Sequence, residues 1–199
     1  MASAPLPQRL LLATRNAHKA DEFTTLLAPY AVDPLPDEVI LPPETGTTFA
    51  ENALGKARAA AAATGRVAIA DDSGIAAAAL DGAPGVYSAR FAGPEATDAE
   101  NLAKLLREAP AGSGVAYVCA IAHVDPTEDP VRPREHVVHG RCTGVLAAEP
   151  RGDGGFGYDP AFVPDEHPDR TMAELTPAEK HAISHRGRAA RELLTWLTR

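Results

Sequence analysis

The sequence has little cysteine, no excess of positive charge and no long apolar run. Its two cysteines, Cys119 and Cys142, form no CxxC pair, so no zinc site is expected and both are predicted to be reduced core thiols. Lysine and arginine total 19 against 27 acidic residues, a net charge of -8, which argues against a nucleic-acid partner or an anionic membrane surface. No stretch approaches the ~20 apolar residues of a membrane span, and the first residues lack the apolar stretch of a signal peptide. We therefore expect a cytoplasmic protein in which any anionic ligand meets a local basic pocket or a metal.

The length of the chain suits one domain. With 199 residues the chain can bury a substantial core, and a single domain over residues 1–199 is favoured over two closely joined lobes. Residues 1–8 are predicted to be a flexible N-terminal tail. Apolar runs predict strands at residues 10–13, 39–41, 67–70, 115–124, 136–141 and 143–147.

Residues 67–74, with the sequence VAIADDSG, have the pattern of a site at the end of a strand. A short apolar run stops at Asp71 and Asp72, and Ser73 and Gly74 follow. Two adjacent carboxylates are a costly cluster of like charge unless a cation or a proton relieves it. The alternative is an ordinary turn, because Asp, Ser and Gly favour turns whatever the function.

Two helix starts carry further candidate residues. Residues 14–19 lead into the first helix, where free backbone N–H groups and Lys19 favour an anion; otherwise Asn16 is only a cap and Lys19 is solvated. Thr48 and Glu51 have the spacing of a capping box, and Asn52 and Lys56 share a face of the helix that follows. If this helix packs beside the two aspartates, Glu44 or Glu51 supplies a carboxylate to a cation. Otherwise Glu51 only completes the cap and Lys56 is solvated.

The C-terminal third combines a glycine-rich segment with a basic one. Glycines around Phe156 allow close approach to a ligand, and Phe156 and Tyr158 offer stacking faces, although such a segment can be only an elaborate turn. Thr176, Pro177 and Glu179 predict a helix start, and Gly187 is expected to kink or divide the helical segment. The basic residues in this segment are Lys180, His181, His185, Arg186, Arg188 and Arg191. They suit a phosphorylated ligand bound with a metal, or else they complement the dipole of their own helix.

Five segments occur in a characteristic order: LATRNAHKADEF, ETGTTFAENALGKARAAA, AIADDSGI with DGAPGVYSARFAG, PRGDGGFGYDPAF, and AELTPAEKHAISHRGRA. Together they resemble the inosine triphosphate pyrophosphatase family, which hydrolyses non-canonical purine nucleoside triphosphates. The resemblance spans nearly the whole chain. It implies an α/β fold with a mixed central sheet, flanking helices and two lobes around a nucleotide-binding cleft. It also implies a homodimer and Mg²⁺-dependent release of pyrophosphate from ITP, dITP or XTP.

The resemblance assigns roles to individual residues. Asp72 is the base and Lys56 reaches the triphosphate, which makes these two the catalytic candidates. Glu44 and Asp72 are the metal ligands, and Asp71 and Glu51 are further candidates for that role. The residues expected to bind substrate are Thr14, Arg15, Asn16, Ala17, His18, Lys19, Ser73, Phe156, Gly157, Tyr158, Asp159, Lys180, His185 and Arg186.

The chain departs from the family pattern at three positions. Arg15 stands where the family usually has glycine, Ala78 where it commonly has aspartate, and Asp81 where it commonly has glycine. If position 15 needs a conformation open only to glycine, the loop must differ. The departures leave two alternatives: a catalytically silent nucleotide-binding or regulatory protein of the same fold, and a pyrophosphatase for other modified nucleotides.

Overall fold

Six strands form one mixed sheet in the computed structural model, which describes residues 9–199. The strands are β1 (Arg9–Leu12), β2 (Ala31–Pro34), β3 (Ala68–Ala77), β4 (Gly114–Asp125), β5 (Arg134–Leu146) and β6 (Phe162–Pro164). Their order across the sheet is β2-β1-β3-β4-β5-β6. β1 is parallel to both β2 and β3, whereas β5 and β6 are antiparallel. The predicted α/β fold with a mixed sheet and flanking helices is confirmed, and the predicted tail at residues 1–8 lies outside the described residues.

In the described part of the chain, five α-helices accompany the sheet: α1 (Ala17–Leu26), α2 (Phe49–Thr64), α3 (Asp98–Glu108), α4 (Pro177–Ile183) and α5 (His185–Leu197). The capping boxes at Thr48, Thr97 and Thr176 are all formed, each with a glutamate three residues later. Each box satisfies backbone N–H groups that a helix start leaves without partners, which is why these starts can be read from the sequence. α2 ends at Gly65, whose φ of 65° is a left-handed conformation that glycine adopts without strain.

The strand does not end before the aspartate pair as predicted, and the alternative of an ordinary turn there is also wrong. β3 is ten residues long and runs through Asp71, Asp72, Ser73 and Gly74 without a break. Turn propensity is a local preference, and the pairing of a strand inside a sheet outweighs it here. Asp71 and Asp72 therefore lie within a strand and not at its end.

Other strand boundaries also differ from the prediction. Residues 136–141 and 143–147 were predicted as two strands, but the single strand β5 runs to Leu146. Residues 39–41 form no strand, and β2 instead lies at Ala31–Pro34, where its proline argued against a strand. Ser184 separates α4 from α5, and Gly187 lies within α5.

By packing, the described chain divides into two units. The first contains the chain up to Asp72, Ala120–Val138 and Ala190–Arg199, and the second contains Ser73–Cys119 and His139–Ala189. Each unit has its own apolar core: in the first, alanines of α2 pack with residues of β1, β3 and β4, and in the second Leu102 and Leu105 of α3 pack with aromatic residues that include Tyr117 and Phe162. The predicted single domain and the cleft between two lobes stay predictions. None of the helices in residues 9–199 is long and apolar enough to cross a bilayer.

His123 is a buried histidine in the first unit. Its side chain lies on β4, only 3% exposed, with its ring edge against Trp196 of α5 at 5.0 Å between centroids. Within the described chain, its Nδ1 has no hydrogen-bond partner. Burial lowers the pKa of His123 to about 4, because the charged imidazolium is poorly solvated there.

Folding stability is expected to fall as the pH decreases from about 6.5 towards 4. In that window the unfolded chain protonates His123 and the folded chain does not, so the loss reaches at most about 3 kcal/mol. His123→Phe should flatten this part of the profile, and the exposed His139→Phe should not. Urea unfolding at a series of pH values measures the free energy of unfolding. If that free energy changes with pH equally in wild type and His123→Phe, the prediction is contradicted.

Candidate active site

The first unit brings together six polar side chains, which we call the acidic–lysine group: Lys19, Glu44, Asn52, Lys56, Asp71 and Asp72. They come from the start of α1, the segment before α2, one face of α2, and β3. The fold thus brings together residues that are far apart in sequence: Lys19 and Asp72, which interact, are 53 positions apart. The predicted packing of α2 beside the aspartates is confirmed by these contacts.

Asp72 is held by an amide. Nδ2 of Asn52 donates to Oδ2 of Asp72 at 2.8 Å, while Oδ1 of Asn52 accepts from the backbone N–H of Gly46 at 2.8 Å. A side chain at position 46 would not fit, because a Cβ there would lie 2.7 Å from Oδ1 of Asn52. Burial raises the pKa of Asp72, although the bond from Asn52 and the charge of Lys56 oppose the shift. A buried carboxylate with a raised pKa is a suitable general base.

Two lysines neutralise the other acids of the group. Nζ of Lys19 lies 3.0 Å from Oδ2 of Asp71, and Nζ of Lys56 donates to Oε1 of Glu44. The alternatives of a solvated Lys19 and a solvated Lys56 are therefore wrong. Burial lowers the pKa of Lys56, but the charges of Asp71 and Glu44 outweigh it, so the pKa is raised overall. The ammonium group of Lys56 is therefore kept charged beside the aspartates.

Glu51 caps the start of α2. Its Oε2 accepts from the backbone N–H of Thr47 at 2.7 Å, from the hydroxyl of Thr47 and from the backbone N–H of Thr48. The bond from the backbone of Thr47 is the main cause of its lowered pKa. The alternative that Glu51 completes the cap is borne out, and its metal role stays a prediction with no contact to support it.

The segment before α1 has the conformation of a helix start. Oδ1 of Asn16 accepts from the backbone N–H of Lys19 at 3.1 Å, and the hydroxyl of Thr14 accepts from the backbone N–H of Asn16. Ala17 and His18 are exposed in the first turn of α1. Asn16 is thus a cap, and the phosphate contacts predicted for Thr14, Ala17 and His18 stay predictions.

Arg15 binds the protein's own backbone. Its guanidinium donates to the carbonyl oxygens of Leu35, Pro36, Asp37 and Val39 at 2.7 to 3.2 Å. Among the residues that the structure describes, Asp81 is the one non-glycine residue with positive φ, so position 15 does not need a glycine conformation. Asp81, by contrast, occupies with a φ of 51° a conformation that suits glycine.

The second unit contains a group around Asp159, which we call the Asp159 group: Tyr117, Phe156, Asp159, Lys180 and His185. Oδ2 of Asp159 accepts from Nζ of Lys180 and from the backbone N–H of Phe156, both at 2.9 Å. Oδ1 of Asp159 accepts from the hydroxyl of Tyr117 at 3.0 Å. Nζ of Lys180 also lies 4.9 Å from the centre of the Phe156 ring. Gly155 permits this arrangement, because its φ is 70° and a Cβ would lie 2.1 Å from Oδ2 of Asp159.

The remaining candidates in the second unit also have defined places. Arg186 is 2% exposed, donates to Oγ of Ser73 at 2.9 Å and lies 5.8 Å from the Phe156 ring centre. The hydroxyl of Tyr158 donates to the backbone oxygen of Ser88, and the backbone N–H of Gly157 donates to Oδ2 of Asp98. His185 is buried with its ring stacked on Tyr117. Contacts inside the second unit therefore hold Tyr158, His185 and Arg186 in place.

Among the residues that contact candidates directly, Asn52 and Tyr117 were not assigned to the site from the sequence. Asn52 was recognised only as a neighbour of Lys56 on a helix face, and Tyr117 only as part of a strand. The four-residue spacing of Asn52 and Lys56 was a usable signal for the first, since α2 directs both side chains to one face. For Tyr117, a tyrosine in an apolar run looks like a core residue, and its partner Asp159 is 42 positions away.

Arg15→Lys should lower the free energy of unfolding by about 1–3 kcal/mol, because a lysine keeps the charge but cannot replace several guanidinium bonds to carbonyl oxygens. Urea unfolding measures the change, with the exposed Arg141→Lys as the matched control. Unchanged stability in Arg15→Lys, together with a raised KM, would contradict this and indicate that the guanidinium binds substrate instead.

Comparison with known proteins identifies the family. The Ham1 family model matches residues 10–196. A dITP/XTP pyrophosphatase of Shigella flexneri is 49% identical over 195 residues, covering 94% of this chain and 96% of the relative, and one of Frankia alni is 50% identical over 204 residues, covering 95% and 96%. The solved structure of a HAM1 protein from Coxiella burnetii has a TM-score of 0.83 at 45% identity and covers 96% of this chain and 98% of its own. The resemblance read from the sequence is confirmed: the chain belongs to the Ham1 family.

Proposed function

We propose that the chain hydrolyses the non-canonical purine nucleoside triphosphates ITP, dITP and XTP to the monophosphate and pyrophosphate. Relatives that match nearly the whole chain are named dITP/XTP pyrophosphatases. The observation that carries the proposal is Asp72, a buried carboxylate with a raised pKa, held by Asn52 and influenced by two lysine charges. Such a reaction keeps deaminated purines out of DNA and RNA. The homodimer and the cytoplasmic location stay predictions.

The acidic–lysine group is assigned to the triphosphate. Asp72 takes the proton of the attacking water at the α-phosphate, and the bond from Asn52 to Oδ2 holds the carboxylate in place for this step. Lys19 and Lys56 bind phosphate oxygens and stabilise the charge that develops on the leaving pyrophosphate. Both lysines are already held in place by carboxylates, so little rearrangement is needed when the substrate arrives.

The same group suits a magnesium ion. Within residues 9–199, no three His, Cys, Asp or Glu side chains are grouped so that they could hold a metal ion by themselves. Magnesium is commonly held by one or two carboxylates together with substrate phosphates, and Glu44 and Asp72 supply two carboxylates of the kind it prefers. When bound, the ion would neutralise charge on the phosphate oxygens. Asp71 is the further candidate, and it already faces Lys19.

The Asp159 group and Arg186 are assigned to the base. Hypoxanthine and xanthine present an acceptor oxygen at position 6, where adenine has a donor amine. Lys180 and Arg186 are donors, so adenine would leave them unsatisfied. Phe156 offers a ring face for stacking, and cation–π attraction to this ring helps to hold Lys180 and Arg186 beside it.

With Mg²⁺ present, ITP, dITP and XTP should each give monophosphate and pyrophosphate with similar kcat/KM. For dATP, kcat/KM should be at least about 10²-fold lower, because buried donors are left without acceptors. Chromatography of the products over a panel that also contains dGTP and modified pyrimidine triphosphates tests both statements. Binding without turnover would indicate a silent relative, and comparable rates with dATP would contradict the assignment of the base site.

Asp72→Asn should reduce kcat by roughly 10² or more, the low end of general-base effects, and the chain should stay folded. The exposed Asp21→Asn, on α1, is the control for removal of a carboxylate. Steady-state kinetics with ITP and a thermal melt of each variant are the measurements. Near-normal turnover in folded Asp72→Asn would remove Asp72 from the role of base.

A further inference from the structure

We propose that Tyr117 is a positioning residue for base recognition, acting through the carboxylate of Asp159. The inference rests on the proposed function, because it assigns Asp159 and its partners to the nucleotide base. Tyr117 lies on β4, is 6% exposed, and belongs to the apolar core of the second unit. Its hydroxyl is a polar group placed in that core, and it donates to Oδ1 of Asp159.

The bonds of Asp159 divide between its two oxygens. Oδ2 accepts from Lys180 and from the backbone of Phe156, and Oδ1 accepts from Tyr117. A carboxylate can rotate about the bond to Cβ, and the bond from Tyr117 opposes that rotation. Tyr117 therefore keeps Oδ2 aimed at the ammonium of Lys180 and at the segment that carries the Phe156 ring.

The ring of Tyr117 contacts a second part of the base site. It is stacked on His185 with centroids 4.7 Å apart and on Phe162 with centroids 4.5 Å apart. His185 is the first residue of α5, directly before Arg186. One side chain thus touches both the carboxylate that orients Lys180 and the residue beside Arg186. Burial raises the pKa of the Tyr117 phenol well above its usual value, so the group stays a donor throughout the working pH range.

Tyr117→Phe removes the donor and keeps the ring. We expect KM for ITP and the Kd for inosine monophosphate to rise together by roughly three- to tenfold, since a hydrogen bond to a charged group is lost but acts indirectly on the ligand. We expect kcat to change by less than about twofold, because no phosphate contact is altered. Tyr87→Phe, which removes an exposed hydroxyl, should change neither quantity.

A double-mutant cycle separates positioning from general weakening of the core. If Tyr117 acts through Asp159, Tyr117→Phe should change the Kd for inosine monophosphate by less than about twofold in an Asp159→Asn background. Isothermal titration calorimetry with all four proteins makes the comparison. Phe162→Leu, which weakens the stacking and leaves the hydroxyl in place, should lower Tm with a smaller effect on Kd than Tyr117→Phe.

The proposal is overturned if Tyr117→Phe has no effect on Kd, or if its effect is the same with Asp159 and with Asn at position 159. If Tyr117→Phe does not fold, Tyr117→Met removes the same donor with a side chain that adapts to the core, and the same comparison applies. A wild-type chain that neither hydrolyses ITP nor binds inosine monophosphate would overturn the proposed function, and the inference with it. If the wild-type chain is active but the effects of Tyr117→Phe and Asp159→Asn on Kd are additive, the inference alone is overturned.

Discussion

The burial of two adjacent carboxylates in β3 is the constraint on which the first unit's site depends. Asp71 and Asp72 are 1% and 5% exposed, and a charge buried at this depth needs compensating partners. The two acids share one group of polar side chains: Lys19 lies beside Asp71, Asn52 donates to Asp72, and the charge of Lys56 acts on both. Asp71 is paired with a cation, whereas Asp72 is held by a neutral amide, and burial raises the pKa of Asp72. The proposed role of Asp72 as base depends on this difference.

The helices were predictable because their signals are local. Thr48, Thr97 and Thr176 each satisfy backbone N–H groups within three residues, and such a contact depends little on the rest of the fold. The strands were less predictable, because pairing partners come from elsewhere in the chain. The Asp-Ser-Gly sequence favours a turn when it stands alone, but β3 carries it through as a strand. β5 is a second example of this limit: a break between residues 141 and 143 was predicted, but one strand runs through it.

The site residues also divide into those that local motifs predict and those that only the fold brings together. The motifs pointed to Asp72, Lys56, Asp159 and Lys180, and the structure gives each of them a charged or hydrogen-bonded partner. The residues that hold them were not predictable in the same way. Asn52 lies 20 positions from Asp72 and Tyr117 lies 42 positions from Asp159, so only the fold reveals these pairs. Arg15 was expected to bind substrate; the fold places its guanidinium on four backbone carbonyls, and its contact with substrate stays a prediction.

The acidic balance of the chain is compatible with an anionic substrate because its acids maintain the charge of the buried Lys56. An ammonium that loses water on burial tends to lose its proton, and burial alone lowers the pKa of Lys56. The charges of Asp71 and Glu44 reverse that tendency, so Lys56 stays protonated in a place that water reaches poorly. In such a place an ammonium attracts a phosphate oxygen more strongly than it would in bulk water, because the medium screens the charges less. The carboxylates of Asp71 and Glu44 therefore do more than repel an anion: they keep charged Lys56, the group to which the proposed function assigns the phosphate.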